Sequence, residues 1–239
     1  MDRIAIAQSL LDATEGANYL EIGVCTGSSF IPIRASKKWG VDPGHLVSRK
    51  RRAKYAAWAW LRIKNERLFR MTSDEFFTVH TRMLAAHGID VCLVDGLHTY
   101  EQSYRDLLNA LAHLRPNGVI LVHDCNPSTE TAACPATSID EVAARYGAIW
   151  NGAWSGDVWK TIVRLRSCHH DLKAFVLDCD TGVGVVTRGR PRALLPYSES
   201  EIRAMDYEFL ASRREELLGL QPPAYFRAFL NDRLHSLRT

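Results

Sequence analysis

Residues 19–30, Tyr19-Leu20-Glu21-Ile22-Gly23-Val24-Cys25-Thr26-Gly27-Ser28-Ser29-Phe30, decide the fold. The segment opens as an apolar strand and breaks into glycine, threonine and serine, the way a strand ends in a loop that cradles a nucleotide. In a dinucleotide loop of the form Gly-x-Gly-x-x-Gly, the middle glycine lets a pyrophosphate approach the backbone. Here Cys25 stands between Gly23 and Gly27. A side chain there would crowd a pyrophosphate, and Glu21 ahead of the loop would repel one. An acid in that place suits a ligand bearing an ammonium or sulfonium group. Asp42 follows 21 residues after Glu21, where a carboxylate can accept both hydroxyls of a ribose.

Outward from this loop, apolar strand-like runs alternate with helical patterns. Strands are expected at Leu20–Val24, Trp39–Val41, Leu68–Met71, Asp90–Val94 and Val119–Val122. A pair at Ala174–Leu177 and Gly184–Thr187 flanks the turn signal Asp178-Cys179-Asp180-Thr181-Gly182. Helices are expected at Ile4–Leu11, Ser28–Ala35, Arg49–Lys64, Ser73–Ala86, Tyr100–Leu114, Ile139–Tyr146, Val158–Arg166 and Glu199–Leu218. The alternation implies an α/β, Rossmann-like, doubly wound and mostly parallel seven-stranded sheet, with helices on both faces. The closing hairpin makes the last strand antiparallel. Residues 1–190 read as the main domain, and 191–239 as a helical extension packing on it or on a second subunit.

Ligands of such sheets bind outside the C-terminal ends of the strands. Five ends carry polar groups: the Gly23–Ser29 loop, Asp42, Thr72-Ser73-Asp74, Asp95 and His123-Asp124. Read in order, Glu21-x-Gly23-x-x-x-Gly27, Val41-Asp42-Pro43, Thr72-Ser73-Asp74, Val94-Asp95-Gly96-x-His98-x-Tyr100-Glu101, Pro116-Asn117-Gly118-Val119 and Val122-His123-Asp124 resemble a class I S-adenosylmethionine-dependent methyltransferase. The resemblance covers about residues 17–190 and is nearest to bacterial O-methyltransferases of the type associated with sugar and natural-product modification.

The resemblance implies roles. Glu21, Gly23, Gly27 and Ser28 would pass under the methionine part of S-adenosyl-L-methionine, Asp42 would hold the ribose, and Ser73 and Asp74 would border the adenine. Asp95 would face the methionine amino group, the reacting methyl or a metal. Some relatives bind Mg²⁺ or another divalent cation through an acid after the fourth strand and an Asp-Asp or Asp-Asn pair after the fifth. Asp95 and Asp124 match these, but Cys125, a soft ligand, stands where the second member of the pair belongs. For an alcohol acceptor, His98 and His123 are candidate bases. His98 is preferred because it lies in the turn after Asp95, giving His98, Asp95 and Asp124 as the catalytic set.

Composition narrows the classes further. The 239 residues are 46% hydrophobic and 24% charged, ordinary for a globular protein. No stretch approaches the roughly 18 apolar residues of a membrane span. No export signal is read at Met1-Asp2-Arg3-Ile4, and the six cysteines form no Cys-x-x-Cys pair, which suits free thiols in a reducing cytoplasm. The net charge of +3 is uneven: between Arg49 and Arg70 nine Lys or Arg face one acid, Glu66. A solvated crossover helix is the preferred reading of residues 49–64, so nucleic acid is not expected as a partner. The expected partner is a small hydroxylated acceptor, with a homodimer left open. Asn151–Trp159, rich in glycine and tryptophan, is a candidate substrate lid. The alternatives are an NAD(P)-dependent oxidoreductase on a similar fold, disfavoured by Glu21 and the missing middle glycine, and a non-catalytic module using the basic helix.

Overall fold

The computed structural model describes residues 1–14, 17–44, 47 and 66–238, with side chains to 234. The basic segment 49–64 lies outside the described residues. Seven strands, β1 (Asn18–Ile22), β2 (Lys37–Val41), β3 (Glu66–Phe69), β4 (Ile89–Val94), β5 (Leu114–Val122), β6 (Leu172–Leu177) and β7 (Val183–Arg188), form one sheet in the order β3-β2-β1-β4-β5-β7-β6. β1 to β5 pair in parallel. β7 inserts antiparallel between β5 and β6, as expected for the last strand. β1 and β4 are buried along their whole length, as a sheet covered on both faces requires.

The two faces are covered by different helices. Leu20, Ile22, Cys92, Val94, Ile120 and Val122 point into one core. That core is closed by α2 (Ser73–Val79), α3 (Thr81–His87), α4 (Tyr100–Ala112), α6 (Trp159–Cys168), α7 (Glu199–Ala204) and α8 (Tyr207–Leu218); α5 (Ile139–Tyr146) packs on a small separate cluster with Cys134 and Ala136. The alternate residues Tyr19, Val91, Leu93, Val119 and Leu121 face the other side, where α1 (Arg3–Asp12) and α9 (Tyr225–Arg238) pack through Ile6, Leu10 and Phe226. This period-two alternation divides each strand between the cores. The C-terminal segment thus contributes to both, with Ile202, Leu210, Leu217 and Leu218 in one and Phe226 in the other.

Four expectations are corrected. Residues 28–32 form turns and 33–35 are irregular, rather than a helix. The buried Lys38 ammonium donates to the carbonyls of Phe30, Ile31 and Ile33, so those oxygens are bound to an amine instead of a helical ladder. Residues 73–86 form two helices, α2 and α3, meeting at His80, where φ is −103° and ψ 14°; its ring packs on Phe69 and Phe76. The stretch 199–218 is likewise two helices, because Met205 turns extended and Asp206 caps α8 by accepting from Phe209 N–H. β5 begins at Leu114, ahead of the expected Val119.

Candidate active site

The backbone ladder runs one step beyond four strands. Gly23 N–H donates to Val41 O (2.9 Å), Asp42 N–H to Phe69 O (3.1 Å), Asp95 N–H to Ile22 O (2.9 Å) and His123 N–H to Val94 O (3.0 Å). These bonds place the first residue after β1, β2, β4 and β5 in one row along the C-terminal rim. Gly23 is required where it stands. Its φ is +89°, and a Cβ there would lie 1.8 Å from the Asp95 carbonyl oxygen. The loop after β1 therefore seats directly on the turn after β4.

The cofactor candidates divide into a buried support and an open edge. Glu21 is fully buried beneath the loop, with Oε2 accepting from Tyr19 Oη and Oε1 from Ser29 Oγ, each at 2.6 Å. Burial pushes its carboxyl up to about 7, against the two hydroxyl bonds that favour the charge. Glu21 thus holds the loop from below and has no exposed face of its own. Cys25 and Ser28 are exposed, and Gly27 is buried. Cys25, at φ +45°, turns its N–H to Asp42 Oδ2 at 2.7 Å, and Gly44 N–H donates to Asp42 Oδ1 at 2.7 Å. Each oxygen of Asp42 keeps a lone pair for a further donor, and the side chain is partly open. Ser73, buried, accepts from Gln102 Nε2 at 3.1 Å, while the exposed Asp74 pairs with Arg105 at 3.1 Å. Gln102 also donates to Asp106, whose carboxyl burial raises to about 6.

At the ends of β4 and β5, acids and bases interlock. His123 Nδ1 lies 3.1 Å from both Asp95 Oδ1 and Asp124 Oδ2. Asp124 is held in the left-handed region at φ +61°. Its Oδ1 accepts from Ser155 Oγ (2.9 Å) and Thr181 Oγ1 (2.7 Å). Arg3 enters from α1: Nε is 3.3 Å from Asp95 Oδ2, and Nη1 is 2.9 Å from Asp180 Oδ2. Nη1 and His123 Nε2 lie 3.1 Å apart and both face Asp180. Burial disfavours a charged His123, but Asp124, Asp180 and Asp95 outweigh it and raise the ring to about 11. Asp95 and Asp124 are lowered, because the bonds from His123 overcome their desolvation.

His98 occupies a different position. Its Nδ1 lies 2.8 Å from the Trp154 carbonyl, which can only accept, so that nitrogen carries a proton. Nε2 lies 3.4 Å from Asp124 Oδ2 and 3.8 Å from Asp95 Oδ1. Burial lowers its pKa and the two acids raise it more, leaving it above the usual histidine value. The Trp154 ring packs on it at 5.0 Å. Gly156, at φ +60°, fits against the turn so closely that a Cβ would lie 1.8 Å from the His98 carbonyl oxygen. The expected lid is thus fastened to His98, and Trp154 Nε1 donates to Cys134 O at 2.9 Å.

The sequence candidates Asp95, His98, His123 and Asp124 come together. Arg3, Thr181, Asp180 and Ser155 join them without having been foreseen. The sequence signal for the 178–182 turn was present, but only as a turn; Arg3 is a single base in a short apolar helix.

Asp95, His98 and Asp124 each bring a ligand atom to within 4.8 Å of the others, a group that could hold a metal ion. The spacing fits a divalent cation. The oxygens, however, are already engaged by Arg3, His123, Ser155 and Thr181. Cys125 turns its thiol to Val122 O at 3.3 Å, and Asn126 is bound to Asp178 and Arg214, so neither completes a hard-cation site. For S-adenosylmethionine the donors fit: a partly open Asp42 with free lone pairs, and ionised acids near the loop for a cationic ligand.

Residues 20–125 match the family model described as a methyltransferase domain. No curated protein matches the chain in sequence. Among solved structures, a Staphylococcus aureus protein described as a candidate caffeoyl-CoA O-methyltransferase is 13% identical, with a TM-score of 0.53 over 79% of this chain and 85% of that one. Cofactor-bound Rv0187 from MTB is 16% identical, with a TM-score of 0.50 over 80% and 82%. The O-methyltransferase TomG from Streptomyces achromogenes, in complex with SAM, is 16% identical, with a TM-score of 0.49 over 77% and 78%. Residues 20–125 thus match a methyltransferase domain, and the chain shares its fold with these solved structures.

Proposed function

We propose that the chain methylates a hydroxyl group of a small molecule, such as a sugar or glycosylated metabolite, with His98 as the general base. The observation that carries this reading is the placement of His98 Nε2. It lies beside Asp95 and Asp124 at the ends of β4 and β5, while Nδ1 is fixed by the Trp154 carbonyl. An imidazole locked in that tautomer presents one bare nitrogen to the rim when neutral.

When bound, S-adenosylmethionine supplies a methyl group on a sulfonium. Asp42 would hold the ribose hydroxyls, Ser73 and Asp74 would border the adenine, and the Gly23–Ser28 loop and Asp95 would receive the methionine end. That methyl would pass to the acceptor oxygen, leaving the sulfur as the thioether of S-adenosylhomocysteine, and His98 Nε2 would take the acceptor's proton. The products are a methyl ether, S-adenosylhomocysteine and a proton. Orientation of the reactants can contribute about 7–11 kcal/mol, and base catalysis about 10²–10⁴-fold. Asp124 positions His98, and no step requires a metal.

No described helix is long and apolar enough to cross a membrane. The six cysteines are all free, which supports a reducing cytoplasm as the setting. A second copy of the chain remains a proposed partner through the 191–239 extension. The test is transfer of a labelled methyl group from S-adenosylmethionine to a panel of sugars, glycosides and phenols, with NAD(P) reduction assayed on the same panel. Methyl ethers should form, and reduction of NAD(P) should not. Reduction of NAD(P) without methyl transfer would replace this reading with the oxidoreductase one.

A further inference from the structure

We propose that Arg3 is a resident cation of the strand-end acids whose charge beside Asp95 keeps a divalent ion from binding among them. Its guanidinium bridges two carboxylates, with Nε 3.3 Å from Asp95 Oδ2 and Nη1 2.9 Å from Asp180 Oδ2. Its own backbone N–H also donates to Asp180 Oδ2, at 2.9 Å. The anchoring is firm. Asp2 caps α1 by accepting from Ala5 N–H, and Ile6, Ala7, Leu10 and Leu11 are buried in the core. The Arg3 side chain is only 21% exposed.

The same acids that bring ligand atoms within reach of an ion already face protein cations and hydrogen-bond donors. Asp95 Oδ2 faces Arg3, and Asp95 Oδ1 faces His123. Asp124 Oδ1 accepts from Ser155 and Thr181, and Asp124 Oδ2 faces His123 and His98. A Mg²⁺-like ion needs near-octahedral oxygen donors and gives up its water reluctantly. It would have to compete with His123 for Asp95 Oδ1 and Asp124 Oδ2, beside the positive charge of Arg3, for a site that offers two carboxylates and an imidazole. A guanidinium is less strongly hydrated and matches carboxylates through its fixed fork. Its single charge also leaves the acids more negative than a dication would, which favours a cationic ligand at the adjoining loop. Arg3 Nε is buried and makes no hydrogen bond, so it acts on Asp95 by charge.

If Arg3 excludes the ion, removing its guanidinium should admit one. Mn²⁺ is the probe, and its free concentration is read by electron paramagnetic resonance during titration of the full chain. Mn²⁺ binding can be read whether or not the methyl-transfer proposal holds. Wild type should bind Mn²⁺ weakly, and Arg3→Met should bind it at least about tenfold more tightly, as loss of a nearby positive charge predicts. The double variant Arg3→Met/Asp95→Asn should lose that gain. Arg3→Lys keeps the charge and should stay as weak as wild type. Should Arg3→Met fail to fold by circular dichroism, Arg3→Gln carries the same expectation. Wild type binding Mn²⁺ as tightly as the neutral variant would overturn the proposal, as would a neutral variant that binds no better than wild type.

Discussion

Cys25 and Asp42 meet across the rim of the sheet, where the Cys25 N–H donates to Asp42 Oδ2 over 2.7 Å. The residue that breaks the dinucleotide pattern is thus the one whose backbone orients the acid at the end of β2. Cys25 is in the left-handed region, and its thiol is exposed. Its N–H is committed to a carboxylate and unavailable for a phosphate.

Asp42→Asn should weaken S-adenosylhomocysteine binding about 10–100-fold, roughly 1.4–2.7 kcal/mol. The amide keeps the shape but sets an NH₂ against either the Cys25 or the Gly44 N–H. Titration calorimetry reads the affinity, and an unchanged value would remove Asp42 from the ribose site.

His98→Gln should lower kcat about 10²–10⁴-fold while leaving S-adenosylhomocysteine affinity within about twofold, since the proposed base acts on the acceptor. In wild type the rate should rise with pH, because the base must be neutral. The midpoint should lie above 6.5, as the neighbouring acids raise the ring against its burial. A flat profile between pH 6 and 9 would count against His98.

The strand ends were legible because each apolar run stops at a polar residue, so Asp42, Asp95 and Asp124 could be placed on one rim before any coordinates. The family resemblance added roles, and the domain match over 20–125 agrees with it. Arg3 was not legible. Its partner Asp180 is 177 residues away, and only the docking of α1 against the sheet brings them together. The non-helical path of residues 28–35 was equally hidden, because the Lys38 that captures carbonyls along it reads in sequence as an ordinary charged residue at a strand start.

Glu21 makes stability depend on pH in an unusual direction. Its folded pKa is raised from 4.5 to about 7 by burial. Between these values the folded chain holds more protons than the unfolded one, so this contribution falls as pH rises through that window. The loss amounts to at most about 3 kcal/mol. Glu21→Gln should flatten that part of the melting temperature between pH 5 and 8, measured by calorimetric scans. An identical pH dependence in both proteins would mean that Glu21 does not change charge there.

Gly23→Ala should destabilise the fold by more than about 2 kcal/mol. The new Cβ would meet the Asp95 carbonyl at 1.8 Å in a backbone conformation of φ +89°. Urea denaturation reads the effect, and a loss under about 0.5 kcal/mol, the range of ordinary surface substitutions, would show that the loop does not seat on the β4 turn.

The most direct measurement is titration calorimetry of the chain with S-adenosylhomocysteine and, separately, with NAD. Saturable binding of S-adenosylhomocysteine at one site per chain, and none of NAD, is the result expected of a rim built from Asp42, Asp95 and the Gly23–Ser28 loop. Binding of NAD with no response to S-adenosylhomocysteine would contradict it.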